Sequence, residues 1–258
     1  RQLYNLGSFC EETLYLACPE SARLFLETVI EEKAFDFTES EGSVTYETNT
    51  TNDDQEFLYY LMRSREELVF MLKNGTRFDS MAIVEYGRDA QNACLARSPL
   101  PHPTEYTSRE AYQITFKKMN ALLFNGFYHP SLRTISPFLY MLCKRYLRSF
   151  GVLRQIDPDA GEQRYTALKR SLYEKVPYLD RLLDRYYEYF LYTDLLDVFE
   201  DYSFSKHLLY GIAKTHMLWL FLALYARNRK QVSTDEIARV IAVYERRAPQ
   251  IESALKYL

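Results

Sequence analysis

One cysteine of this sequence stands where a sulfur atom can be chemically active. Cys18 directly precedes Pro19 and Glu20, and apolar residues at helical spacing follow, which predicts a helix beginning after the proline. A sulfur in that place can lie near the helix N-terminal amides, which stabilise a thiolate. The position suits a reactive thiol or a metal ligand, and the competing interpretation is a small apolar side chain buried in the core.

A second candidate is a run of aromatic residues with carboxylates around it, between residues 184 and 201. Tyrosines at helical spacing are mostly packing surface whose hydroxyls reach water, but rings flanked by carboxylates can also form a cage around a cation. The acidic residues that follow the rings are likewise either a solvated face or a docking site for lysine. The candidate substrate-binding residues are Tyr187, Glu188, Asp194 and Asp197.

The sequence patterns of the common catalytic sites are missing. The chain contains no glycine-rich nucleotide loop, Walker motif, zinc-protease motif or nucleophile elbow. No catalytic residue can therefore be assigned, and no Rossmann-type site for S-adenosylmethionine is predicted. His207 and His216 share a predicted helix but lie nine residues apart, about 180° around it, so they cannot hold one metal ion.

Charge and cysteine content limit the partners and the compartment. The net charge is −3 without a dense block of Lys or Arg, which argues against nucleic acid as a partner. The four cysteines match no zinc or disulfide spacing, so we expect reduced thiols in a cytoplasmic protein. The apolar stretch 208–226 carries Lys214 and His216, which favours a buried central helix over a membrane span. We therefore expect no membrane partner.

The elements that carry these residues are predicted to be helices. Glycine and proline are scarce, at 8 and 9 of 258 residues, and helix formers are plentiful, which argues against a sandwich or a barrel. Thr107 with Glu110, and Ser233 with Glu236, have the spacing of capping boxes that open helices. The predicted fold class is all-α, an irregular multi-helix bundle with at most a short β-hairpin near residues 35–50.

A proline-rich stretch divides the predicted helices into two groups. Three prolines alternate within residues 98–103, which favours an extended linker and forbids a helix. We predict an N-terminal helical subdomain with a charged loop over residues 1–98. A C-terminal helical bundle is predicted over residues 104–258, and the two are expected to pack as one body.

The segment around the candidate cysteine resembles part of a known protein family. Residues 11–26 read EETLYLACPESARLFL: an acidic residue, an alternating apolar stretch, Cys-Pro-Glu, and then Ala-Arg-Leu at a helix start. This pattern is similar to the middle of the flagellin lysine-N-methylase family. The aromatic helix with Tyr187 and the closing region with Tyr244, Glu245 and Arg246 also resemble family segments, at lower similarity.

The resemblance implies that the intact protein transfers methyl groups from S-adenosylmethionine to the ε-amines of surface lysines on flagellin. It also implies that Cys18 completes an iron–sulfur or other metal cluster whose remaining ligands lie in an upstream cysteine-rich region. The chain begins at Arg1 without such a region. We therefore expect a fragment that gives substrate recognition and scaffold, holds no cluster and is inactive alone. The alternatives are a non-catalytic helical protein-binding module and a helical regulatory protein unrelated to flagella.

Overall fold

The backbone is mostly α-helical in the part of the chain that the structure describes. The computed structural model describes residues 16–32, 52–128, 131–150, 158–195 and 203–246. The helices are α1 (Pro19–Ile30), α2 (Asn52–Lys73), α3 (Met81–Ala96), α4 (Phe116–Ala121), α5 (Leu132–Ile135), α6 (Pro137–Phe150), α7 (Pro158–Arg170), α8 (Leu179–Thr193), α9 (Phe204–Ala226) and α10 (Thr234–Glu245).

The predicted all-α class is confirmed. Within the described residues, β-structure is limited to one antiparallel bridge between Ser80 and Ala111. The predicted β-hairpin near residues 35–50 lies outside the described residues. A π-helical turn, Leu122–Phe127, continues α4.

Short-range hydrogen bonds explain where two of the helices begin. At α10, the Glu236 amide donates to the Ser233 hydroxyl over 3.3 Å and the Ser233 amide donates to the Glu236 carboxylate over 2.9 Å. This is the capping box that the sequence predicted. At α3, the Ser80 hydroxyl accepts from the Ala82 amide over 3.2 Å. Both caps satisfy amides that the helix itself leaves without a partner.

The predicted helix start at Thr107 is wrong. Residues 106–110 are not helical, and the Glu110 carbonyl instead accepts from the Met81 amide over 2.7 Å at the start of α3. The helix begins later, at Phe116, where the Thr115 hydroxyl accepts from the Lys118 amide over 3.3 Å. The Glu110 amide, which a capping box would direct to the Thr107 hydroxyl, donates instead to the Ser108 hydroxyl over 3.3 Å.

The Cα positions divide the chain into two compact units. The first unit contains residues 1–40, 114–182 and 214–257, and the second contains residues 41–113, 183–213 and 258. Each unit is assembled from stretches that are distant in sequence. The predicted boundary at the proline-rich stretch stays a prediction.

Aromatic rings fill the core of the first unit. Phe127 packs on Phe221 with a centroid distance of 5.1 Å, and both contact the ring of Tyr244 on α10. Gly161 of α7 is required where it stands, because a Cβ there would lie 2.5 Å from the Phe116 ring. Close packing of rings and backbone of this kind fixes α7 and α10 in place.

The most apolar helix of the described chain is α9. By length and composition α9 could cross a membrane, but 89% of its apolar window is buried inside the protein. A buried core helix passes the same test, so this is weak evidence for a span.

Candidate functional site

The candidate cysteine lies at the first turn of α1. Cys18 is the N-cap residue of that helix, with extended backbone at φ −89° and ψ 129°, and its side chain is partly exposed. Its sulfur caps no helix amide, which differs from the position expected from the sequence. The thiol instead donates to the Glu20 carboxylate, with 2.8 Å between Sγ and Oε2. The Cys18 thiol is therefore hydrogen-bonded to a carboxylate at the protein surface.

The carboxylate of Glu20 is electrostatically favoured in its charged form. The hydrogen bond from the Cys18 thiol lowers the pKa of Glu20 most, and a hydrogen bond from the backbone amide of Glu20 itself lowers it further. The positive charge of Arg246 acts in the same direction. Glu20 therefore stays charged and accepts a hydrogen bond from the thiol beside it.

Arg246 links the closing helix to the cysteine segment. Its Nε donates to the carbonyl of Ala17 over 2.6 Å, across 229 positions of sequence. Ala17 is the residue before Cys18 and is itself buried, at 6% exposure. The end of α10 therefore holds the backbone that carries the cysteine, although nothing in the local sequence pattern around Arg246 indicates this contact.

The described residues around Cys18 do not by themselves form a metal site. Among them, no group of three or more His, Cys, Asp or Glu side chains is arranged to hold a metal ion. An iron–sulfur cluster is usually held by four cysteine thiolates, of which this segment supplies one. A cluster would therefore need ligands from outside the described residues.

Tyr187 is part of the core of the second unit. Its side chain is fully buried, its hydroxyl donates to the Leu208 carbonyl over 3.4 Å, and its ring stacks on Phe190 at 5.7 Å. Burial raises the pKa of Tyr187 well above its ordinary value. Gly211 permits this packing, because a Cβ there would lie 2.3 Å from the Phe190 ring. In this arrangement the ring contacts protein rather than solvent.

Glu188 is a buried carboxylate that is paired with cations. It is 2% exposed and accepts from the Arg185 guanidinium, and Oε1 lies 3.9 Å from the Lys73 ammonium. Burial raises the pKa of Glu188, while Arg185 and Lys73 oppose that shift. A closed ion-pair network of this kind holds α2 and α8 together within the second unit.

The two remaining sequence candidates are the aspartates beyond α8. Asp194 is partly exposed, and its amide donates to the Phe190 carbonyl over 3.0 Å. Asp197 lies outside the described residues. Substrate binding by Tyr187, Glu188, Asp194 and Asp197 stays a prediction.

A lysine, a histidine and the single tryptophan form a cluster in the first unit that sequence reasoning missed. The Lys169 ammonium lies 2.7 Å from His216 Nδ1 and 3.9 Å from the centroid of the Trp219 ring. His216 stacks on the same ring at 5.7 Å. An ammonium over an aromatic face is attracted by the ring quadrupole, so Lys169 joins α7 to α9. The sequence indicated only that His216 cannot share a metal ion with His207 and that it disfavours a membrane span. Its contact with Lys169 could not be predicted, because the two residues are 47 positions apart.

The buried charge on α9 also has a partner. The Lys214 ammonium lies 3.3 Å from a Glu245 carboxylate oxygen, and both side chains are at most 6% exposed. The hydroxyl of the neighbouring Tyr244 donates to the Lys214 carbonyl over 2.9 Å. These contacts fix α10, and with it Arg246, against the part of α9 that belongs to the first unit.

The described cysteines differ in how accessible they are. Cys143 is fully buried, and burial raises its pKa to about 12. Cys94 is partly exposed, and burial raises its pKa as well. Cys18 is partly exposed at the end of a helix, beside a carboxylate. Of these three thiols, Cys18 is best placed to meet a reagent or a ligand.

No family model, curated protein or solved structure matches this chain.

Proposed function

We propose that the intact protein is a lysine N-methyltransferase that acts on flagellin, and that this chain supplies substrate recognition and scaffold. The observation that carries the proposal is the Cys18-Pro19-Glu20 segment, whose sequence resembles the flagellin lysine-N-methylase family. Its geometry supports the proposal, because the thiol is partly exposed and its backbone is tied to the closing helix by Arg246. A cluster ligand needs both properties, access and a fixed position.

The proposed chemistry is transfer of a methyl group from S-adenosylmethionine to the ε-amine of a lysine. When bound, that cofactor supplies an electrophilic methyl group, and the lysine amine must be neutral to attack it. The described residues of this chain are proposed to orient the lysine. The role in metal binding belongs to Cys18, with further ligands from outside the described residues.

Mass spectrometry of flagellin tests the proposal. The intact protein is incubated with flagellin and S-adenosylmethionine under reducing, anaerobic conditions, and we expect a mass increase of about 14 Da per methyl group at lysine residues. Flagellin of unchanged mass would contradict the proposal. Omitting the methyl donor is the control, because it leaves every protein contact in place.

A second candidate function is a non-catalytic helical module that binds flagellin or another protein. The observation that favours it is an open acidic cleft beside α1, lined by side chains from α1 and α10. Under this alternative the chain binds flagellin, but the intact protein leaves flagellin unmodified in the mass measurement. The two functions therefore give opposite results in one assay.

A further inference from the structure

One lysine and two rings join the end of α7 to α9 in the first unit. The Lys169 ammonium lies 2.7 Å from Nδ1 of His216 and 3.9 Å from the centroid of the Trp219 ring. Nε1 of Trp219 also donates to the Lys169 carbonyl over 3.3 Å. These three residues define the Lys169 cluster, and neither the proposed metal ligand nor the proposed methyl transfer uses them.

The arrangement of the Lys169 cluster requires His216 to be neutral. An ammonium has donors and no acceptor, so at 2.7 Å it donates to Nδ1, and the single proton of the imidazole is then on Nε2. A charged imidazole carries a proton on both nitrogens and has no acceptor left. Protonation of His216 therefore replaces a hydrogen bond by two positive charges that face each other.

The surroundings of the cluster also disfavour a charge on His216. Titratable side chains that contact the cluster or flank it on α9 include Tyr165 of α7, Tyr173 in the turn after α7, Lys214 of α9 and Glu245 of α10. The tyrosines are uncharged near neutral pH. The carboxylate of Glu245 is already paired with the Lys214 ammonium at 3.3 Å. His216 is 4% exposed, so water solvates a charge there poorly.

These contacts make the junction of α7 and α9 sensitive to acid. A histidine in an unfolded chain takes up a second proton as the pH falls through about 6.5. The folded cluster holds His216 without that proton. The contribution of the cluster to stability is therefore fully present above about pH 6.5 and is lost as the pH falls below it, because the unfolded chain then binds more protons.

We propose that the Lys169 cluster is a pH-sensitive latch, in which protonation of His216 displaces the Lys169 ammonium, uncovers the Trp219 ring and frees the end of α7 from α9. The latch depends on contacts within the first unit and does not rest on the proposed function. It gives the buried histidine of α9 a role in a conformational change.

Two readouts test the latch separately. NMR of the histidine ring protons follows the protonation of His216, whose signal is identified by its absence in His216→Gln. Acrylamide quenching of fluorescence measures how far Trp219 is uncovered, because it is the only tryptophan of the sequence. Both are recorded between about pH 8 and about pH 5, where a histidine changes its charge.

Three variants separate the cluster from other titrating groups. His216→Gln keeps a neutral side chain that can accept from Lys169 but cannot be protonated in this range. Lys169→Met keeps an unbranched stem and removes the positive charge. His102→Gln is the matched control, because His102 is an exposed histidine of the second unit.

In the unchanged protein, we expect the quenching constant of Trp219 to rise by about twofold as His216 is protonated, as in a local opening, and to recover on return to neutral pH. The quenching constant of His216→Gln should not change with pH. Lys169→Met should raise the protonation midpoint of His216 by about one pH unit, because a neighbouring positive charge is gone. His102→Gln should behave as the unchanged protein does.

Four results would overturn the latch. The first is a His216 that stays neutral down to about pH 5, well below the ordinary histidine range. The second is protonation of His216 without a rise in the quenching of Trp219. The third is an unchanged midpoint in Lys169→Met, which would remove the effect of the ammonium. The fourth is a rise in quenching that persists in His216→Gln or disappears in His102→Gln, since another group would then be its cause.

Discussion

The first turn of α1 and the middle of α8 both carry residues that suit chemistry, but they differ in access to solvent. At α1, the Cys18 thiol is partly exposed and its carboxylate partner is at the surface. At α8, Tyr187 is fully buried and Glu188 is 2% exposed. A group at the surface can meet a ligand without a change in packing, whereas a buried one must first be uncovered. The Cys18 thiol is therefore accessible at α1, whereas Tyr187 and Glu188 pack within the second unit.

Removal of the Tyr187 ring should have the largest effect on stability. Tyr187→Ala deletes a fully buried ring that stacks on Phe190, so we expect the free energy of unfolding to fall by about 3–5 kcal/mol. Tyr187→Phe keeps the ring and removes only the hydroxyl, at a cost of about 1 kcal/mol. Urea denaturation measures both. A Tyr187→Ala protein as stable as the unchanged one would place the ring outside the core and remove the contrast with α1.

The pH dependence of stability should reveal the buried carboxylate of α8. Because burial raises the pKa of Glu188, the charged form is less favourable in the folded state than in the unfolded state. The free energy of unfolding should therefore fall as the pH rises from 4.5, the ordinary pKa of a glutamate side chain, through the higher pKa of Glu188 in the folded state. Glu188→Gln cannot titrate and should lack this component. Identical pH profiles for the two proteins, from urea denaturation at a series of pH values, would contradict the burial of this charge.

Thiol labelling should separate the surface cysteine from a core cysteine. Cys143 is fully buried with its pKa raised to about 12, so N-ethylmaleimide should reach it only when the protein opens. We expect Cys18 to react at least about tenfold faster in the native protein. Peptide mapping by mass spectrometry gives both rates in one sample. Equal rates in the native protein would show that α1 gives its cysteine no special access.

Loss of the hydrogen bond between Arg246 and the Ala17 carbonyl should have the smallest effect on stability. Arg246→Ala removes the donor to the Ala17 carbonyl, which we expect to cost about 0.5–1.5 kcal/mol. The loss should be local, with faster amide hydrogen exchange in the first turn of α1. Arg148→Ala, an exposed arginine of the first unit, is the control and should change neither quantity. Unchanged exchange in Arg246→Ala would mean that the cysteine segment is held without the closing helix.

Local chemistry explains what could be predicted from the sequence. The Ser233 and Glu236 capping box lies within four residues, and its hydrogen bonds form as the spacing predicts. Helix content could be predicted for a similar reason: glycine disfavours a helix at its own position, and the chain has few glycines. Where a tertiary contact competes, as at Thr107 and Glu110, the same pattern predicted a helix that does not form.

The tertiary contacts could not be predicted because their partners are distant in sequence. Arg246 and Ala17 are 229 positions apart, and Lys169 and His216 are 47 apart. The buried state of Tyr187 depends on Gly211, which leaves room for the Phe190 ring. The resemblance of residues 11–26 located the cysteine, but only the structure pairs its thiol with Glu20.

One paired measurement tests most directly the contrast between the accessible Cys18 of α1 and the buried Tyr187 of α8. Cys18→Ser and Tyr187→Phe are each introduced into the intact protein, and methyl transfer to flagellin is followed by mass spectrometry alongside urea denaturation. We expect Cys18→Ser to abolish methyl transfer while the folded state keeps its stability, because the thiol is partly exposed. Tyr187→Phe should retain methyl transfer with a small loss of stability. Full methyl transfer by Cys18→Ser would contradict a role of the Cys18 thiol in the reaction.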